Sequence, residues 1–172
     1  IFALEGNMKL TALFVCLGIF FDFFDGLLAR KLNVQSELGL QLDSLADMIT
    51  SGLVPGLVLF HLLGLASQPS WESYNLLPYF GLLVTLASAY RLAKFNISTN
   101  QSDAFIGLPT PANTLLIIAL PLILEYQNSD AISAIILNPW FLMGFTIVSC
   151  YLLNAPIKLI ALKFKTWDFK HN

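Results

Sequence analysis

The chain has 172 residues, of which 56% are hydrophobic and 12% are charged. Water-soluble domains carry about a quarter charged residues, so this composition argues against a soluble protein and favours a lipid environment. The formal net charge of −2 and the lack of a long basic run in the sequence argue against nucleic acid as a partner.

Five apolar stretches are considered as membrane helices, which need roughly 17–25 residues per span. In chain order they cover residues 10–29, 38–66, 76–95, 112–126 and 139–153. The fourth is short and contains Pro121, and segments with Asn, Gly or Pro separate the five. We therefore expect an all-α fold, a polytopic transmembrane helical bundle that forms one domain over residues 1–172.

The two ends of the sequence suggest that it belongs to a longer protein. It begins with Ile1 rather than Met, and it stops in a basic, aromatic tract at residues 163–172. We expect truncation at one or both ends and six or more spans in the full-length protein.

The basic residues predict how the helices are oriented. If the spans alternate in direction, eight of the nine Lys and Arg residues fall on one side of the membrane, and Lys9 alone falls on the other. Loops rich in Lys and Arg face the cytoplasm in most membrane proteins. The ends of the first and third stretches and the start of the second are therefore predicted to lie at the cytoplasmic face.

Four aspartates interrupt or border the first two apolar stretches, and helical periodicity arranges them on two faces. Successive residues of an α-helix are rotated by roughly 100°, so five residues of the first stretch fall within one arc of about 140° on the helix surface. Three residues of the second stretch recur at every fourth position and form a stripe along one face of that helix. The first set is Asp22, Asp25, Gly26, Ala29 and Arg30, and the second is Gly39, Asp43 and Asp47. Facing each other, the two sets would form one acidic cleft.

The chemistry of such a cleft points to divalent cations. Carboxylates gathered near a membrane repel one another, and two divalent cations would cancel the charge of four. Oxygen ligands favour Mg²⁺ or Mn²⁺, and a pair of such ions can clamp the bridging oxygens of a pyrophosphate. An aspartate considered alone could instead form a structural ion pair with Arg30. Small residues considered alone are typical of helix–helix packing.

The joint pattern Asp22-x2-Asp25-Gly26-x2-Ala29-Arg30-x8-Gly39-x3-Asp43-x3-Asp47 resembles the signature of the CDP-alcohol phosphotransferase family. Residues 90–96, 105–113 and 161–165 are also similar to segments of bacterial, membrane-embedded phosphatidylserine synthases within that family. The resemblance implies transfer of the phosphatidyl group of CDP-diacylglycerol to the hydroxyl of L-serine, with release of CMP.

The resemblance also implies roles for individual residues and a setting for the enzyme. Asp47 would be the catalytic base, and a homodimer in the bacterial inner membrane would hold its active site towards the cytoplasm. Two divalent cations, Mg²⁺ or Mn²⁺, would be held by Asp22, Asp25, Asp43 and Asp47. The CDP-diacylglycerol site would be lined by Asp25, Gly26, Ala29, Arg30, Gly39 and Asp43.

The acceptor alcohol is predicted from less evidence than the reaction class. Arg91 and Asn96 are expected to bind the serine carboxylate and amine, but residues at a helix end can equally meet lipid phosphates. Three alternatives stay open. The first is a phosphatidylglycerophosphate synthase or another acceptor specificity in the same family. The second is an ion-coupled membrane transporter, since intramembrane acids often mark ion paths. The third is a non-catalytic helical scaffold.

Overall fold

A computed structural model of the chain describes residues 1–32, 36–67, 76–97, 105–127 and 129–159. Within these ranges the chain forms seven α-helices and one pair of two-residue strands. The predicted all-α fold class is confirmed. The basic, aromatic tract at residues 163–172 lies outside the described residues.

Helix α1 covers Met8–Leu32. It begins after Asn7, whose side-chain oxygen accepts a hydrogen bond of 3.2 Å from the backbone N–H of Leu10 and so caps the first turn. A narrow face with Ala12 and Val15 is buried. Large apolar side chains elsewhere on the helix, including its phenylalanines, are exposed, which is typical of a helix that faces lipid.

The second long helical run covers Glu37–Ala66 and has three parts. Helix α2 covers Glu37–Asp47, a π-helical turn covers Met48–Leu53, and helix α3 covers Val54–Ala66. Ser36 caps the start, because its hydroxyl oxygen accepts a hydrogen bond of 3.0 Å from Gly39 N–H. The π-helical turn therefore begins at the residue after the last of the four aspartates.

The remaining helices complete the bundle around α3. A 3₁₀ turn over Leu77–Leu82 leads into helix α4, Leu83–Ile97. Helix α5 covers Thr110–Tyr126. Helices α6 (Asp130–Ile136) and α7 (Pro139–Asn154) meet at an angle of 57°.

The core is centred on α3, where Val58, Leu59, Leu62 and Leu63 are buried. They pack together with buried residues of α4, α5 and α7, namely Val84, Ile117, Ile118 and Leu142. The 3₁₀ turn approaches α3 closely at Gly81, where a β-carbon would stand 2.6 Å from the backbone nitrogen of Phe60. Glycine is required there because any larger residue would collide with the backbone.

The short strands join the segments that follow α4 and α7. Strand β1 (Phe105–Ile106) pairs antiparallel with β2 (Lys158–Leu159). Gly107 comes next with φ of +76°, a conformation that glycine adopts without strain. A β-carbon on Gly107 would also stand 2.5 Å from the carbonyl oxygen of Leu153. The backbone at Gly107 is therefore packed tightly on the end of α7.

Among the described residues, two helices are long and apolar enough to cross a membrane, Met8–Ala29 and Glu37–Ala66. The bent pair α6 and α7 would make a third span if both helices belong to one crossing. Helix α5 is apolar but has only 17 residues. The chain is thus a helical membrane protein, and the number of five spans stays a prediction.

Candidate active site

Three of the four aspartates come together where α1 ends and α2 begins. Asp22 and Asp25 lie on α1, and Asp43 lies on α2. One carboxylate oxygen from each residue can be chosen so that the three lie within 4.8 Å of one another. Asp22 is partly buried, and the other two are exposed. The two acidic helix faces that the sequence predicts therefore do meet.

Asp47 lies one helical turn beyond Asp43, outside this group of three. Its carboxylate accepts a hydrogen bond of 3.4 Å from the hydroxyl of Ser51. It also interacts electrostatically with Asp22, Asp43 and Arg91. Asp47 thus borders the acidic group on one side and has a hydroxyl and a guanidinium as neighbours on the other.

The π-helical turn after Asp47 has a cause in the sequence. In an α-helix the carbonyl of Ser51 would accept from the N–H of residue 55, but residue 55 is a proline and has no N–H. Within the turn the hydrogen bonds reach one residue further, as shown by Val54 N–H, which donates to the carbonyl of Ile49. Such π-helical turns often occur at functional sites.

Two threonines from other elements supply donors to this turn. The hydroxyl of Thr114 on α5 lies 2.9 Å from the carbonyl of Ser51 and 2.9 Å from that of Thr110, so both carbonyls share its proton. The hydroxyl of Thr85 on α4 donates to the carbonyl of Gly52 at 3.1 Å. The turn that follows Asp47 is therefore held by both neighbouring helices. The sequence alone did not identify Ser51, Thr85 or Thr114 as part of this site. Its one local signal for the π-helical turn was Pro55.

The small residues of the predicted nucleotide site lie beside the acids. Gly26 and Ala29 follow Asp25 on α1, and both are partly buried. Gly39 lies in the first turn of α2, one turn before Asp43, and is exposed. The backbone of Arg30 belongs to the last turns of α1, whereas its side chain lies outside the part that the structure describes.

Arg91 and Asn96, predicted to bind the acceptor, both lie on α4. Arg91 is partly buried and interacts electrostatically with Asp47. Asn96 accepts a hydrogen bond of 3.0 Å from the hydroxyl of Ser44 and donates one of 3.2 Å to the side-chain oxygen of Gln41. Both ends of its carboxamide are thus bonded to α2. Asn96 joins the end of α4 to the helix that carries Asp43 and Asp47.

Comparison with known proteins agrees with this geometry. The family model for CDP-alcohol phosphatidyltransferases matches residues 1–152. The chain is similar to the CDP-diacylglycerol–serine O-phosphatidyltransferase of Bacillus subtilis, with 37% identity over 118 residues, which cover 66% of this chain and 61% of the relative. It is 38% identical over 113 residues to the enzyme of the same name from Helicobacter pylori, covering 60% of this chain and 42% of the relative.

A more distant similarity extends to the archaea. The archaetidylserine synthase of Methanothermobacter thermautotrophicus is 27% identical over 132 residues, which cover 75% of this chain and 53% of that protein. The chain thus spans from about two fifths to three fifths of the length of these relatives. No solved structure matches the chain significantly.

Proposed function

The chain belongs to the CDP-alcohol phosphatidyltransferase family, and on that basis we propose that it transfers the phosphatidyl group of CDP-diacylglycerol to L-serine. The products would be phosphatidylserine and CMP. The observation that carries this proposal is that one carboxylate oxygen each of Asp22, Asp25 and Asp43 lie within 4.8 Å of one another. The choice of serine is supported by relatives whose names specify serine as the acceptor.

The acidic group suits divalent cations. Its donors are carboxylate oxygens from Asp22, Asp25 and Asp43, the ligand type that Mg²⁺ and Mn²⁺ prefer over softer metals. Three like charges this close are unfavourable without a counter-charge. When bound, two such cations would neutralise the pyrophosphate of the nucleotide and make its lipid-side phosphorus more electrophilic. Asp47, one turn further along α2, would be the fourth ligand.

The residues around the acids would bind and orient the CDP group. Small side chains let a phosphate approach the backbone, and a guanidinium provides the matching positive charge. We assign this site to Asp25, Gly26, Ala29, Arg30, Gly39 and Asp43. Positioning and charge neutralisation would supply most of the catalysis, since a direct displacement needs the reactants held in line.

Asp47 would act as the general base. The serine hydroxyl oxygen forms a bond to the lipid-side phosphorus, the bond from that phosphorus to the bridging oxygen breaks, and CMP leaves with the bridging oxygen. The hydroxyl proton passes to the Asp47 carboxylate. The hydroxyl of Ser51, 3.4 Å from this carboxylate, would orient it. Arg91 on α4 interacts electrostatically with the same carboxylate.

The cellular setting belongs to the same proposal. The bias of Lys and Arg residues supports an active site towards the cytoplasm. Similarity to bacterial relatives supports the bacterial inner membrane, and the family resemblance supports a homodimer. These features concern the whole protein, and the chain spans from about two fifths to three fifths of the length of its relatives.

The experiment that tests the proposed function measures CMP release by the detergent-solubilised chain with CDP-diacylglycerol. L-serine and glycerol 3-phosphate are supplied in parallel reactions. We expect release that depends on serine. Release with glycerol 3-phosphate alone would make the chain a phosphatidylglycerophosphate synthase. Absence of release with either acceptor, together with ion flux in sealed vesicles, would favour a transporter instead.

A further inference from the structure

Helix α1 carries a glycine on the face that leads from the core to the acidic group. Val15 on this face is buried, and Asp22 is partly buried. Gly18 follows Val15 by three residues and precedes Asp22 by four, so all three lie on one side of the helix. Glycine destabilises a helix interior relative to alanine, and its presence here calls for a structural reason.

The structural reason is a close approach to the π-helical turn. A β-carbon on Gly18 would stand 2.9 Å from Cγ2 of Thr50 and 3.8 Å from its Oγ1. Carbon atoms in contact are normally about 3.5–4.0 Å apart, so an added methyl group would have to displace either α1 or Thr50. The lack of a side chain at Gly18 therefore allows α1 to lie against the turn.

Thr50 is poorly placed to move aside. Its side chain is branched at the β-carbon, which restricts rotation about χ1. Its hydroxyl donates a hydrogen bond of 3.0 Å to the carbonyl of Ala46, one turn earlier, and rotation of the side chain would break this bond. The hydroxyl of Thr50 therefore holds in place the methyl group that lies nearest to Gly18.

The contact lies about one helical turn from an aspartate on both helices. Asp22 follows Gly18 by four residues, and Asp47 precedes Thr50 by three. Asp22 and Asp47 also interact electrostatically. Among the described residues, α1 packs more extensively on the π-helical turn than on α2. The two helical runs are therefore in contact at Gly18 and Thr50 and less closely packed where they carry the acids.

We propose that the contact between Gly18 and Thr50 sets the separation of the two acidic helix faces, an inference that rests on the proposed metal site. Both are positioning residues, because the ligands themselves are the carboxylates. A binding site needs its groups held within about 0.5 Å, and a methyl group at residue 18 would require a shift of roughly 0.5–1 Å. The carboxylates of α1 would then be less well placed to share cations with Asp43 on α2.

The proposal is tested by two measurements on the full chain purified in detergent. Electron paramagnetic resonance gives the affinity for Mn²⁺, and thermal unfolding without metal gives the stability. The variants are Gly18→Ala, Thr50→Ser and the two combined. Serine lacks Cγ2 but keeps the hydroxyl that bonds to Ala46, so the double variant has room for the added methyl group. The control is Gly64→Ala on α3, whose β-carbon would meet Cγ of Pro78 at an ordinary distance of 3.9 Å.

We expect Gly18→Ala to weaken Mn²⁺ binding about tenfold, since misplacement by about 1 Å can cost a hundredfold in activity. Thr50→Ser alone should weaken binding less, because it opens a small gap without pushing the helices apart. The double variant should recover the affinity to within about twofold of the wild type, because the two substitutions act on one contact. Gly64→Ala should bind Mn²⁺ as the wild type does. Loss of general helix packing would not be reversed by removal of one methyl group.

Two results would overturn this inference alone. Unchanged Mn²⁺ affinity in Gly18→Ala, even with a lower unfolding temperature, would show that the contact serves packing only. A double variant that binds Mn²⁺ as weakly as Gly18→Ala would show that Thr50 is not the constraint.

Two further outcomes are also decisive. If Gly18→Ala does not fold, as judged by gel filtration, the double variant carries the test, and its failure to fold or to bind Mn²⁺ would overturn the inference. A wild type that binds no Mn²⁺ would refute the proposed metal site, and this inference with it.

Discussion

The hydroxyl of Thr114 on α5 donates a hydrogen bond of 2.9 Å to the backbone carbonyl of Ser51, 63 residues earlier in the chain. Pro55 leaves this carbonyl without the donor that an α-helix would provide, and Thr114 is completely buried. Ser51 in turn bonds to the carboxylate of Asp47 through its own hydroxyl. The contact therefore connects the packing of α5 to the residue proposed to act as the base.

Replacing Thr114 with valine should lower both stability and turnover. The substitution keeps the shape of the side chain but leaves a buried carbonyl unpaired, at a cost of about 1–3 kcal/mol in unfolding free energy. CMP release should fall because Ser51 no longer holds Asp47 in place. Thermal unfolding in detergent and initial rates of CMP release measure the two effects.

Thr11→Val is the matched control for this variant. Thr11 is also a buried threonine that bonds to a helix carbonyl, that of Asn7. That carbonyl keeps the backbone N–H of Thr11 as a donor, so the effect should be smaller. Equal unfolding temperatures and rates for Thr114→Val and the wild type would contradict the proposed role of Thr114.

The variant Asn96→Ala separates a positioning role from direct binding of the acceptor. The side chain joins α4 to Ser44 and Gln41 on α2, so its removal should loosen the helix that carries Asp43 and Asp47. We expect kcat to fall several-fold while KM for serine stays unchanged. Adding Ser44→Ala should lower kcat little further, because the effects of two substitutions that remove the same contact are not additive. A selective rise in KM for serine would instead support the acceptor-binding role predicted for Asn96.

Two glycines provide a test of the fold. In Gly81→Ala the new β-carbon would stand 2.6 Å from the backbone nitrogen of Phe60, so the 3₁₀ turn would have to move away from α3. Overpacking of this kind costs about 1–3 kcal/mol, and the unfolding temperature in detergent should fall. Gly144→Ala on α7 is the control, because no atom lies within 4 Å of its added β-carbon. A Gly81→Ala protein as stable as Gly144→Ala would contradict the close approach of the turn to α3.

Removal of divalent cations should abolish CMP release. Without a counter-charge, Asp22, Asp25 and Asp43 would repel both one another and the pyrophosphate of the substrate. Treatment with EDTA followed by return of Mg²⁺ or Mn²⁺ should restore the rate, and Na⁺ at equal ionic strength should not. Full activity in excess EDTA would show that the acidic group does not work through metal.

The sequence predicted the helical membrane fold and the meeting of two acidic helix faces, because both follow from periodicity within single helices. Asp22 and Asp25 share one face of α1, and the spacing of four places Asp43 and Asp47 on one face of α2. It could not separate Asp47 from the other three acids. That difference involves Ser51, four residues further along the same helical run, and Arg91 on α4.

Contacts between distant helices were beyond the sequence. Asn96 could be placed at a helix end, but its bond to Gln41, 55 residues away, depends on how α4 packs on α2. The π-helical turn had a local signal in Pro55, yet a proline in a helix can also produce a kink or a break. Which of these occurs is decided by partners such as Thr85 and Thr114, which only the folded chain brings near.

Direct measurement of Mn²⁺ binding tests the central claim, that carboxylates of α1 and α2 jointly hold divalent cations. Electron paramagnetic resonance on the detergent-solubilised chain counts bound Mn²⁺ without any need for turnover. We expect two bound ions in the wild type and in Asp130→Asn, an exposed acid at the start of α6. Asp25→Asn and Asp43→Asn should each weaken binding at least about tenfold, since each removes a charged ligand. Mn²⁺ binding that is absent from the wild type, or unchanged in both variants, would contradict the account.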